Sequence, residues 1–310
     1  MTNFLNNFTK KAVIFTLFVL LFLIVLNSKL VIFSVKEAAI LFFNNLFGPI
    51  FIFYTLTDLL INYDFLKVLR VSFFKKVSSF FHINTNSLFI IFFSMITGFP
   101  SGSKYICDFY SKNLISYDEA TYLLMFTHFS NPLFILGTIG YLFGKSFSIK
   151  ILISTFLGNI ILSIIVRPKN NSYNTNNKIE LNKLSLTECL TNSFKKTYQI
   201  IMIVLSSSIV FTTLGYLINR NINNKVFEFF IFGILDLTKG ITLLNNYSFS
   251  LLFKGIIICT FVSFGGINVN IQVKSIIEKE KLPYIYFLSG RLIATFLSIL
   301  IFIISSLYSI

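Results

Sequence analysis

Lys104 and Asp108 stand four residues apart in 97-TGFPSGSKYICDF-109, directly after the apolar run 88-LFIIFFSMI-96. Four residues is about one helical turn, so the two side chains share a face and can pair. If a helix begins near Ser101, the turn before it needs irregular backbone, which Gly98 and Gly102 permit and Pro100 pre-sets. The first N–H groups of that helix, with the positive end of its dipole, form an anion site to which the Ser101 and Ser103 hydroxyls can add. Lys104 then either faces a bound anion or closes a self-neutralised ion pair with Asp108 in a packing turn.

Three further stretches place polar groups inside apolar surroundings. In 263-SFGGINVNIQ-272, Ser263 and the adjacent Gly265 and Gly266 precede Asn268, Asn270 and Gln272. The amides donate and accept without charge, and three of them at two-residue spacing cannot share one helical face, so at least one belongs to the turn. They either contact a ligand or bond between helices. In 127-THFSNPLFILGTIG-140, Pro132 removes a backbone bond and frees carbonyls near residues 128 and 129. His128, Ser130 and Asn131 cluster there, His128 being a packed neutral imidazole or a proton carrier. In 233-GILDLTKG-240, Asp236 and Lys239 lie three apart between two glycines, as an internal ion pair of a broken helix or as an interfacial anchor.

Catalytic sets are missing from the sequence. There is no Ser/His/Asp set, no GxSxG, HExxH or P-loop, and the glutamates stand at helix starts and in loops, so no enzyme is expected. Cys107, Cys189 and Cys259 are far apart, without a CxxC, and His82 and His128 are the two histidines. Neither a metal site, a disulfide framework nor a cofactor is expected.

These groups sit in a chain of 310 residues that is 55% hydrophobic and 12% charged, with mean hydropathy +0.79. A soluble domain cannot hide so much apolar surface, so the lipid bilayer is the first partner. The net charge of +14 suits an anionic partner, either lipid headgroups or a small anionic substrate. Loop lysines also set topology, and the absence of Trp beside 40 Phe fits an AT-rich coding sequence. The basic residues form no single stripe, which argues against nucleic acid. Self-association as a homo-oligomer is left open.

A ruler of about 20 apolar residues places full spans near 12 to 33, 38 to 61, 118 to 143, 149 to 166, 197 to 218 and 284 to 309. Residues 65 to 81 carry basic residues at 67, 70, 75 and 76 between aromatics, as suits a helix lying in the interface. Residues 86 to 115 and 249 to 281 are each an apolar run, a glycine-containing break and a more polar helix, and each reads as a re-entrant hairpin. Ser34 with Glu37, Ser116 with Glu119 and Ser185 with Glu188 match the capping-box spacing. The expected fold is therefore an all-α polytopic membrane protein of two inverted-topology repeats, each with a re-entrant helical hairpin and broken helices. Its parts are an N-terminal span 1–33, a first repeat 34–166 (hairpin 86–115, broken helix 118–143), a cytoplasmic linker 167–184 and a second repeat 185–310 (hairpin 249–281). With the N-terminus inside, most basic clusters are cytoplasmic, while Lys274, Lys279 and Lys281 fall on the other side.

At the runs from Gly98 to Lys104, Asp108 to Ala120, Phe126 to Gly140, Gly233 to Gly240 and Ser263 to Gly266 with Gln272, the chain resembles the sporulation integral membrane proteins of the YlbJ/SpoVV type. These carry the nucleoside recognition or gate domain, and the resemblance covers about residues 34 to 300. It implies a protein of the mother cell, in the outer forespore membrane, that moves dipicolinic acid toward the spore. It also implies distant similarity to concentrative nucleoside transporters, whose hairpin tips and broken helices bind substrate. Lys104 and the N–H groups after Gly102 would hold one carboxylate of this flat dianion, Asn268, Asn270 and Gln272 its other end, and Ser130 and Asn131 would line the midplane. The alternatives are a nucleoside or other carboxylate as cargo, or a non-transporting sporulation scaffold.

Overall fold

A computed structural model describes residues 2–62, 72–168, 185–220, 222 and 224–308. Among these, every regular element is helical. Five helical stretches are long and apolar enough to cross a bilayer: Ser28–Asn62, Lys145–Ile165, Leu186–Asn219, Leu251–Glu280 and Tyr284–Leu307. The protein is thus an all-α, multi-pass membrane protein. The interface helix expected at 65 to 81 lies partly outside the described residues, and the linker at 167–184 almost wholly so.

The chain opens with α1 (Thr2–Leu26) and α2 (Ser28–Phe42), which passes through a π turn at Phe43–Phe47 into α3 (Gly48–Asn62). Then come α4 (Ser72–Phe81), α5 (Thr85–Thr97), α6 (Ser101–Ser111) and α7 (Tyr117–Phe126). After a non-helical stretch, a π segment (Phe134–Ile139) leads into α8 (Gly140–Phe143), followed by α9 (Lys145–Ile165) and α10 (Leu186–Asn219). The rest is α11 (Lys225–Leu235), α12 (Leu237–Leu244), α13 (Leu251–Phe264), α14 (Gly266–Ile277) and α15 (Tyr284–Leu307).

Burial follows the logic of lipid. Large apolar side chains such as Phe18, Phe296 and Ile304 face outward, while small polar ones are buried between helices. Ser34 meets Thr213 at 2.9 Å, Thr55 meets Thr197 at 2.9 Å, and Ser263 donates to Ser298 at 2.9 Å. In hydrocarbon, apolar surface gives helices little reason to associate, and such short polar contacts with close packing hold them together.

Two helix pairs fold back on themselves. Asn86 at the start of α5 donates to the Leu114 carbonyl just beyond α6 at 3.1 Å, so the pair ends where it began. In α11–α12 the helices close backbone to backbone, and a Cβ on Gly240 would stand 2.3 Å from the Gly233 Cα. By contrast α13 and α14 meet at Gly265 and Gly266, both at positive φ (+87° and +64°), and pack on different neighbours. α13 lies on α15 and α9, α14 on α10 and α6. The glycine pair 233/240 removes the side chains that would hold α11 and α12 apart, while the two left-handed glycines set the junction of α13 and α14.

The ends of the bundle are defined by contacts. At the first end Lys196 pairs with Asp58 at 2.7 Å, the His82 ring meets the Pro168 carbonyl at 2.7 Å, and Cys107 reaches the Ile276 carbonyl. At the second, Arg220 donates to Asn27, Lys254 lies over the Phe143 ring, and Phe147 packs on Phe302.

The three expected capping boxes are met to different degrees. Ser185 and Glu188 make a complete box. Ser116 accepts from the Glu119 N–H, but the Glu119 carboxylate turns instead to Asn84 and Ser87. Ser34 caps nothing, because it lies inside α2: the helix break falls at Asn27, and the Ser34 hydroxyl is satisfied by Val31 and Thr213.

Candidate functional site

Four helix interruptions meet in the interior of the bundle. The first is the α5–α6 tip at 98–100. Gly98 has φ +75°, and its missing Cβ would stand 2.5 Å from the Asn131 nitrogen. The second is the stretch 127–131 between α7 and the π segment, where Phe99 N–H bonds the Phe129 carbonyl at 2.9 Å. The third is the α11–α12 tip at Asp236, and the fourth is the Gly265–Gly266 junction, whose Gly266 faces the Ile234 carbonyl.

Between them lies a pocket lined by Phe99, Ser130 and Asn131, by Asp236 to Thr238, by Asn268, Val269 and Gln272, and by apolar groups from α3, the π segment and α10. Its volume is about 40 Å³. One water needs about 10–15 Å³ on this measure, so the pocket admits only a few.

Two of its polar residues are helix caps. Asn131 Oδ1 accepts from the N–H of Leu133 at 2.8 Å, and its Nδ2 donates to the Thr97 carbonyl at 3.0 Å. Asp236 Oδ1 accepts from Thr238 N–H at 2.9 Å and from Lys239 N–H at 3.4 Å. The first turns of α6 and α14 carry no side-chain cap. Such a start leaves N–H groups and a partial positive charge free for other partners.

The second Asp236 oxygen accepts from Ser208 at 2.5 Å and from Asn268 Nδ2 at 3.0 Å. Gln272, one turn on, donates to Asn268 Oδ1 at 2.6 Å and to Ser207 at 2.7 Å. Asp236, Asn268, Gln272 and Ser130 thus stand on one cavity wall or network. Lys239 does not pair with Asp236. Its ammonium goes to Glu37, which Tyr216 also bonds, and sits over the Tyr216 and Phe232 rings. The start of α12 turns the carboxylate into a cap and the lysine toward α2, which separates them.

The other expected residues lie around the pocket without lining it. Pro100 precedes α6, Ser101 N–H bonds the Gly98 carbonyl, Ser103 bonds the Pro100 carbonyl at 2.6 Å, and Gly102 packs against the Thr127 carbonyl. Lys104 and Asp108 pair at 2.6 Å, each about a quarter exposed, away from the cavity. The ring of His128 is buried against Phe287, with centroids 4.6 Å apart. Asn270 turns away, donating to the Gly266 carbonyl and accepting from Tyr284 at 2.6 Å.

The chain is 24% identical over 285 residues to the sporulation integral membrane protein YlbJ of Bacillus subtilis, an alignment that covers 78% of this chain and 69% of that one. The similarity runs through most of the chain and is to an integral membrane protein of sporulation. No family model matches the chain, and no solved structure does at a significant level.

A further residue organises the site behind its wall. Arg291, fully buried on α15, donates to the carbonyls of His128 (2.8 Å), Ser263 (3.2 Å) and Met125 (3.1 Å), and to Asn159 Oδ1 at 2.7 Å. It satisfies backbone groups freed by both the 127–131 break and the end of α13. Sequence reading overlooked it, although a lone arginine in an apolar span is itself a signal, because ionisable groups at that depth serve a purpose.

Proposed function

We propose that the protein is a membrane transporter for a small organic anion, with dipicolinate carried from the mother cell toward the forespore across the outer forespore membrane as the leading case. The observation that carries this reading is the convergence of four helix interruptions on one pocket. Broken helices inside a membrane are stable only where protein or a cavity satisfies their freed groups, and transporters use such breaks to bind substrate. The likeness to a sporulation integral membrane protein supports the cellular setting.

In the proposed architecture each half sets a fold-back tip against a broken helix: Gly98 against Asn131 in the first, Ile234 against Gly266 in the second. On this reading α5–α6 and α11–α12 are re-entrant hairpins entering from opposite faces, and the halves are inverted repeats. The first end is then cytoplasmic. Lys274, Lys279 and Lys281, which sequence counting put outside, join Lys112, Arg167, Lys195 and Lys196 on that side because α13–α14 crosses once. The small cavity corresponds to an occluded form, and substrate enters when a tip moves away from its partner.

The binding groups in this proposal are Ser130, Asn131, Asn268 and Gln272, with the uncapped start of α14. The experiment is uptake of labelled dipicolinate and labelled nucleosides into vesicles holding the purified protein. Saturable dipicolinate uptake is expected. Uptake of nucleosides alone would favour the second reading, a nucleoside carrier, which the carboxylate of Asp236 beside two amides recommends as partners for ribose hydroxyls. Vesicles that accumulate neither would favour a scaffold.

A further inference from the structure

The pocket proposed to receive an anion already holds a buried carboxyl group. Asp236 is only 2% exposed, and its four donors are neutral: two backbone N–H groups, the Ser208 hydroxyl and the Asn268 amide. Among the described residues no cation pairs with it; the ion pairs formed are Lys104 with Asp108, Lys196 with Asp58 and Lys239 with Glu37.

The charged and titratable groups on the surrounding elements are engaged elsewhere or exposed: Arg291, behind the 127–131 wall, is held by three carbonyls and Asn159, and Lys36 of α2 is exposed. From α2 comes Glu37, held by Lys239 of α12. From α10 comes Tyr216, bonded to Glu37. α11 offers Glu228 in its outermost turn, α13 offers Lys254 over the Phe143 ring and the buried Cys259, and α14 offers Lys274 over the Tyr284 ring. A dicarboxylate entering this cavity would therefore meet a like charge at close range in a low-dielectric interior, where two such groups do not both stay ionised.

We infer that Asp236 is the proton-carrying group of the pocket, and that a dicarboxylate binds together with one proton taken up on its carboxylate. This rests on the transporter reading above and deepens it. The step balances simply: the carboxylate gains one proton from the open side of the membrane, and the Ser208 hydroxyl, now a donor to Oδ2, reverses to accept from the new O–H. The occupied site then carries one negative charge fewer, and release on the other side returns the proton. Asp236 also caps α12, so its protonation state and the closure of the α11–α12 tip are linked through the same side chain.

Calorimetric titration of the purified protein with pyridine-2,6-dicarboxylate, at several pH values into the alkaline range and at each in buffers of different ionisation enthalpy, counts the protons bound with the ligand. Wild type is expected to take up about one, and its affinity to fall by about tenfold per pH unit in the alkaline range. Asp236→Asn, which keeps a capping side chain, is expected to take up none and to bind independently of pH. His128→Gln is expected to behave as wild type. Binding without proton uptake in wild type, or uptake that persists in D236N, overturns the inference and leaves the transporter reading standing. If wild type binds no dicarboxylate at any pH, the transporter reading fails first and this inference falls with it. Should D236N prove too unstable to purify, the wild-type proton count and pH dependence decide alone.

Discussion

Arg291 donates to the backbone carbonyl of His128 at 2.8 Å, and this bond ties α15 to the interruption in a neighbouring helix. Three freed carbonyls and one amide oxygen depend on that guanidinium. Each buried acceptor left without a donor costs roughly 1–3 kcal/mol. Arg291→Met is therefore expected to lower the thermal unfolding midpoint strongly in detergent. Arg291→Lys should recover only part of it, since one ammonium cannot span acceptors that a planar fork reaches together. An Arg291→Met protein as stable as wild type would show that the breaks are held by other contacts.

The two clusters read first in the sequence separate in space, which makes them separable in function. Lys104 pairs with Asp108 off the cavity, whereas Asn131 lines it and caps the helix that follows. Lys104→Ala should leave uptake within about twofold of wild type, as expected for a partly exposed ion pair of small net worth. Asn131→Ala should reduce uptake by about tenfold or more, since a cap alone is worth ~1 kcal/mol and a ligand contact goes with it. Uptake assays on both variants at matched protein levels decide this. Equal loss in the two would return Lys104 to the binding site.

Much of the site was legible because helix interruptions in lipid announce themselves. Pro132, the Gly98–Gly102 turn and the Gly265–Gly266 pair each stand in an apolar run, and local chemistry suffices to find them. What local chemistry could not give was partnership. Asp236 and Lys239 at three-residue spacing look like a pair, yet the cap geometry at α12 sends one to Ser208 and the other to Glu37. Glu37 matched a cap spacing and instead serves a residue some two hundred positions away. The close fit of Gly233 against Gly240 is likewise a relation between two helix surfaces that no single segment encodes.

Glu37 and Lys239 link the α11–α12 tip to α2, and breaking one partner strands the other. Lys239 is buried, so Glu37→Gln leaves a cation stabilised by little more than the Tyr216 and Phe232 rings. Removing one member of a buried pair costs about 3–5 kcal/mol, while replacing both can be nearly neutral. Glu37 is partly exposed, which places the expected loss at or below the low end of that range. Thermal unfolding of Glu37→Gln, Lys239→Met and the double variant should show the double more stable than the sum of the singles predicts. Simple additivity would mean that the two charges are solvated independently.

Gly98 offers a test of the contact between tip and broken helix. Its φ of +75° strains any side chain, and a Cβ there would stand 2.5 Å from the Asn131 nitrogen, a backbone atom that cannot rotate aside. Gly98→Ala must therefore either push 98–100 away from 127–131 or distort the Asn131 cap. Both change the pocket wall, so uptake is expected to fall further than stability does. Gly137 supplies the control: it lies within the π segment with nothing within 4 Å of a built Cβ, and Gly137→Ala should be silent or slightly stabilising. Equal behaviour of the two variants in uptake and in thermal unfolding would mean that the close approach at Gly98 has no part in transport.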